Sequence, residues 1–126
     1  MPRVSLAFFT AAALMGVTGM VWGSIMGVTQ DHSLSPAHAH LNLLGWVTLA
    51  IMGMFYAQAP SLAGRKLAWV NFALSTLGVL ILTPMLAVLL RGAEIGPLMA
   101  IPELLVIGGM AIFIFQIASA WRRAPA

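Results

Sequence analysis

Four long stretches without a formal charge decide what this chain can fold into. They run from Val4 to Gln30, Leu41 to Gly64, Leu67 to Leu90 and Leu104 to Trp121. A helix needs about 20 apolar residues to cross the hydrocarbon core of a bilayer. Each stretch qualifies once the fourth is extended upstream of Glu103. Strands of a membrane barrel are shorter and alternate in polarity, which none of these stretches does. A water-soluble fold fails on composition, since apolar residues make up 61% of the chain and charged residues 7%, against roughly 45–50% and about 25% in soluble domains. Six basic and three acidic side chains cannot cover such a core, and the chain is too hydrophobic for disorder. The predicted fold is an all-α membrane protein, one domain over residues 1–126. Its four transmembrane helices are expected at about 4–29, 36–59, 66–90 and 97–121, packed as an antiparallel bundle or arc because the connections are short.

Basic residues orient the helices. Arg3, Arg65, Lys66, Arg122 and Arg123 fall on one side of four crossings, and only Arg91 on the other. The positive-inside rule places both termini and the 60–66 turn in the cytoplasm, with the inner (cytoplasmic) membrane of a bacterium as the expected location. Tyr56, Trp69 and Trp121 lie near the cytoplasmic face, as an interfacial aromatic belt would. Arg3 and Ala11-Ala12-Ala13 superficially match a signal peptide, but the apolar run continues well past them, so a retained helix is expected. Pro60 is expected to end the second helix, and Pro84 to kink the third.

Small residues mark where membrane helices approach closely. Gly19, Gly23 and Gly27 make two overlapping G-x-x-x-G steps on the first helix, with Ala12 and Gly16 upstream; Gly53 and Ala57 make one weaker step on the second. These faces serve packing within the chain or association between copies. With no cysteine, disulfides, thiolate metal sites and cysteine nucleophiles are excluded. The net charge of +3 comes from so few groups that a nucleic-acid partner has no support. The nine methionines are scattered along the helices, as gap-fillers rather than copper ligands.

All three histidines fall in Asp31-His32-Ser33-Leu34-Ser35-Pro36-Ala37-His38-Ala39-His40-Leu41-Asn42. Ser35 is expected to cap the second helix with Pro36 in its first turn. His38 and His40 then stand near the outer membrane boundary, where the positive helix terminus favours neutral, ligating imidazole. Two residues on a helix turn through about 200°, so the pair points to opposite faces and cannot chelate one ion together. His38 is expected to share its face with Asn42, Gly45, Leu49 and Gly53, whose glycines leave bare backbone where something flat would pack. His40 shares its face with Leu44, Val47, Ile51 and Met54. Trp46 stands about 15 Å into the helix, deeper than an interfacial tryptophan, either stacked near a cofactor or packed in the core.

The run His38-Ala39-His40-Leu41-Asn42-Leu43-Leu44-Gly45-Trp46, continuing to Met52-Gly53 and Tyr56, resembles the second helix of haem-copper oxidase subunit I, in its cbb3-type oxidase and nitric oxide reductase branches. The resemblance covers about 20 residues and implies that His40, followed by Asn42-Leu43-Leu44, ligates a low-spin haem b from the outer half of the membrane. That family's catalytic subunit has about twelve helices in three arcs of four, and this chain matches one arc. It has no histidine on another helix for a copper site, and Tyr56 lies near the cytoplasmic end, so a complete oxidase is not expected. Three copies would rebuild the twelve-helix ring as a homotrimer, with His38 of one chain and His40 of its neighbour ligating one haem. Low-spin, six-coordinate iron of that kind suits electron transfer.

Around this centre, Arg91 is a candidate for pairing with haem propionates, and Glu103 for a second partner to a ligating histidine or a proton-handling carboxylate. Solvated loop charge and a helix-dipole contact are the plainer roles of the two. Asp31 and His32 read as loop residues or as a surface metal site. The expected function is thus a haem b-binding membrane cytochrome that transfers electrons to a redox partner or senses a diatomic gas. The alternatives are a small oligomeric four-helix transporter or channel and an accessory protein binding copper or zinc. Small exporters of this size need a carboxylate inside the first helix, which this chain lacks.

Overall fold

A computed structural model of the chain describes residues 1–123. Four helices are long and apolar enough to cross a membrane: α1 (Arg3–Thr29), α2 (Ser35–Gln58), α3 (Lys66–Leu90) and α4 (Gly96–Trp121). There is no strand among the described residues. Only about a fifth to two fifths of each span is buried within the chain, leaving long apolar faces open, as helices in lipid carry them.

The boundaries follow local chemistry. α1 ends at Gln30, whose backbone turns left-handed (φ 57°) while its amide donates to the Gly27 carbonyl. Ser35 does not cap α2 as expected: it lies within the first turn, the cap position is Leu34, and no side chain bonds there. Pro60 follows the end of α2 and opens a single helical turn, Pro60–Ala63. α3 runs unbroken through Pro84. α4 opens with a 3-10 turn, Gly96–Met99, before the α-helix from Ala100.

α2 is not α-helical throughout. Residues Leu41–Thr48 form a π-helix, and the Thr48 hydroxyl donates to the Leu43 carbonyl five residues back at 2.7 Å. In an α-helix a step of four residues overshoots one turn by about 40°, so a row spaced by four drifts round the helix. Turns closed by i→i+5 bonds hold more residues, and such rows run straighter. The buried row of α2 accordingly reads Ala37, Leu41, Gly45, Leu49.

α1 packs along α2, α3 lies against both, and α4 packs mainly on α3, giving an arc more than a closed ring. The α3–α4 seam rests on glycine. A carbon on Gly78 would come within 2.7 Å of Val106 Cγ2 and 2.9 Å of the Val106 backbone nitrogen, and Gly109 lies against Ser75. Backbone cannot yield as a flexible side-chain tip does. Gly78→Ala is expected to destabilise the protein by about 1–3 kcal/mol, the range for overpacking. An unchanged unfolding midpoint in detergent micelles would refute the tight seam.

The aromatic core sits at the end of the arc where α1 begins and α2 ends. Tyr56 is fully buried, stacked on Phe8 with centroids 5.5 Å apart and edge-on to Phe55 at 5.3 Å. It was expected in an interfacial belt, and the rings of α1 and α4 cover it instead; Trp69 and Trp121 remain exposed. Asn71 donates to the Tyr56 hydroxyl at 3.0 Å and accepts from Ser75 at 3.1 Å, while Ser5 donates to the Gly53 carbonyl at 2.7 Å.

Candidate functional site

Three side chains of α2 stand over three glycines of α1. Counted from the start of α2, His38 lies against Gly23, Asn42 against Gly19 and Trp46 against Gly16. The pairing needs steps of four on α2, which the π-helical segment keeps in line, and bare backbone on α1, because side-chain atoms of α2 crowd the place a β-carbon would take. The small-residue face of α1 thus closes on α2 within the chain; Gly27 meets nothing.

His38 is half-buried here. Its Nε2 lies 3.0 Å from the Gly19 carbonyl oxygen and 3.1 Å from Asn42 Nδ2, and Asn42 Nδ2 also lies 2.9 Å from the His38 carbonyl. One nitrogen cannot donate to Gly19 and accept from Asn42 at once. A consistent assignment protonates Nε2 toward Gly19 and lets Asn42 donate to the His38 carbonyl. The Trp22 indole meets the imidazole in a T-shaped contact, ring centroids 5.9 Å apart. The less hindered nitrogen of His38 is therefore spent on a helix–helix tie.

His40 is built differently. It is exposed, and its Nδ1 lies 2.7 Å from the Pro36 carbonyl, one turn back in the same helix. Nδ1–H donating to a carbonyl fixes the tautomer and leaves Nε2 as the lone-pair nitrogen, the usual arrangement behind a metal-ligating histidine. The two imidazoles leave α2 in different directions, as the spacing implied.

The other candidates are dispersed. Gly45 was expected to leave bare backbone beside His38; it is buried beneath Met15 of α1 and Val79 of α3, so no room for a flat group remains there. Trp46 packs on Gly16 yet stays 40% exposed, at the outside of the helix pair and not in a core. An open groove of about 690 Å³ runs between α1 and α2, lined by Gly19, Gly23, Ser24, His38 and Asn42 among others. Neither Arg91 nor Glu103 lines it. Glu103 is exposed in the first α-helical turn of α4, after its 3-10 opening. Arg91 lines a separate cleft with Asp31 and Trp22, where the hydroxyl and amide of Ser33 hold the Asp31 carboxyl below its ordinary pKa. Among the described residues, no three of His, Cys, Asp or Glu come together as a metal site.

Neutral polar residues form a buried set that the charges and histidines of the sequence do not announce. Asn71, Ser75 and Gln116 are buried, and neither amide atom of Gln116 finds a hydrogen-bond partner among the described residues. Their signal was present: Asn71-x-x-x-Ser75 puts two polar groups on one face of an otherwise apolar span. Comparison with known protein families, with characterised proteins and with solved structures finds no match to this chain.

Proposed function

We propose that this chain is a haem b-binding membrane cytochrome, with His40 as an axial ligand and electron transfer as its activity. The carrying observation is the His40–Pro36 bond, which orients an exposed imidazole with its Nε2 lone pair unspent. The donor chemistry fits haem better than a free metal ion. A porphyrin supplies the equatorial nitrogens and asks the protein only for axial ligands, whereas copper or zinc needs a clustered set that these residues do not form. The row of four below His40 is not the open one expected: Leu44 and Thr48 are half-buried and Met52 buried. The exposed row Leu43, Val47 and Ile51 runs beside it, so an apolar wall stands to one side of the imidazole. When bound by two imidazoles, the iron is low-spin and exchanges electrons without an open position; sensing a diatomic gas would require one imidazole to leave. His38 is tied to Gly19 and His32 stands in the exposed loop before α2, so the second axial ligand is drawn from another copy, in a dimer or in the three-copy ring. Reduced-minus-oxidised difference spectra of protein purified after expression with ample haem test the reading: a b-type spectrum is expected, and colourless, folded protein would sink it.

The proposed location is a bacterial inner membrane, both termini cytoplasmic and the histidines at the outer face, from the distribution of basic residues. Because the chain has no cysteine, single replacements report sidedness cleanly. A membrane-impermeant maleimide is expected to label Ser33→Cys in intact cells and Ser61→Cys only after permeabilisation. The reverse pattern would invert the orientation.

A further inference from the structure

We propose that the cleft between the end of α1 and the end of α3 binds an aminophospholipid such as phosphatidylethanolamine, the phosphate held by Arg91 and the ammonium by Asp31. This site is independent of the haem reading, since the cleft is separate from the groove that His38 lines.

The cleft lies where three spans turn: α1 ends at Thr29, α2 begins at Ser35 and α3 ends at Leu90. Span ends stand at the level of lipid headgroups whichever way the chain is inserted. The floor and the rim of the cleft differ in kind. Trp22, Ile25 and Met26 line it from within the α1 span, Trp22 about 10 Å short of Thr29 at 1.5 Å per residue. Asp31 and Ser33 line it from the loop, and Arg91 from the end of α3. A ligand that satisfies both parts is apolar at one end and charged at the other. The volume is about 200 Å³, against about 30 Å³ for one water in the liquid, so the cleft holds a group of several heavy atoms.

Charge selects the headgroup. Asp31 and Arg91 both face the cleft, yet the hydrogen bonds to the Asp31 carboxyl come from the hydroxyl and the amide of Ser33, the latter at 3.0 Å, and Arg91 acts on it only as a more distant charge. A carboxylate has about four lone-pair sites, so two donors leave room for a third. The planar fork of an arginine suits a phosphate bidentately. An ethanolamine ammonium carries N–H donors for Asp31, as a lysine ammonium would. The alternatives each fail at Asp31. A glycerol headgroup brings a phosphate with no cation to meet the carboxylate, a serine headgroup adds a second carboxylate, and a choline carries methyls in place of every N–H.

Lipid retention by the full chain in detergent micelles tests the site. Delipidated protein is offered equal amounts of phosphatidylethanolamine, phosphatidylglycerol and phosphatidylcholine, and native mass spectrometry reads what stays bound. Phosphatidylethanolamine is expected to be retained about tenfold over phosphatidylcholine, as one hydrogen bond to a charged group gives. Asp31→Asn is expected to abolish that preference, and Arg91→Gln to cut retention of every phospholipid about tenfold. Both side chains are exposed, so both variants should fold, and circular dichroism checks it. Soluble phosphoethanolamine in excess is expected to leave the lipid in place, because it has no chains to reach Trp22 and Ile25. Equal retention of the three lipids by the wild type would overturn the proposal, as would wild-type behaviour in either variant. Displacement by phosphoethanolamine would overturn the lipid as occupant. Equal losses of unfolding midpoint in the two variants, with no dependence on added lipid, would reduce the cleft to a simple ion pair and overturn it as well.

Discussion

Replacing His40 with alanine is expected to strip the protein of haem while leaving its fold intact. Losing a hydrogen-bond partner behind a ligand already costs about 10–100-fold in metal affinity, and losing the ligand itself should cost at least as much. Haem content after detergent purification should fall by about tenfold or more. The fold should not notice, because His40 is exposed and its one hydrogen bond is to the Pro36 carbonyl in the same helix. That pairing of results separates a ligand from a structural residue. The unfolding midpoint in micelles and the helical circular dichroism should match wild type. A His40→Ala protein that retains its Soret band would remove His40 from the site, and one that fails to fold would show an unrecognised structural role.

The second large effect is expected at the other end of the molecule. Tyr56→Ala should cost about 3–5 kcal/mol, the range for deleting a large buried aromatic. All four spans meet at this ring. It stacks on Phe8 of α1, touches Phe113 of α4 with centroids 6.5 Å apart, and accepts a hydrogen bond from Asn71 of α3. In lipid, where hydrophobic burial contributes little between helices, such contacts hold the spans together. Tyr56→Phe keeps every ring contact and loses only the Asn71 bond, so its cost should be about 1 kcal/mol. Unfolding of the two variants in micelles measures the difference. Equal losses would assign the stability to the hydroxyl, and no loss in either would show that the four helices do not depend on this junction.

The spans were readable because an uncharged run of membrane length has few other uses. α3 begins and ends where the run between Lys66 and Arg91 says it should. The divergence of His38 and His40 was readable too, since 100° per residue decides it before any packing is known. The π-helical segment was not, because hydropathy carries no mark of i→i+5 bonding. With it went the neighbours of His38: Trp46 takes the place in the row expected for Gly45, and Gly45 turns to Met15 and Val79. Tyr56 was misplaced for a different reason. Its position near the end of a span suggests an interface, and only the approach of Phe8 and Phe113 from other helices makes it a core residue. That His38 would spend its outer nitrogen on the Gly19 carbonyl is likewise a fact of tertiary packing. The glycine spacing announced a close approach without naming what would approach.

Electron paramagnetic resonance of the oxidised, purified protein tests the central claim most directly, because the ferric signal reports the axial ligands of the iron. Two imidazoles are expected to give a low-spin ferric haem signal, present in wild type and absent from His40→Ala. A high-spin haem signal in the wild type, or no haem iron at all in folded protein, would contradict it.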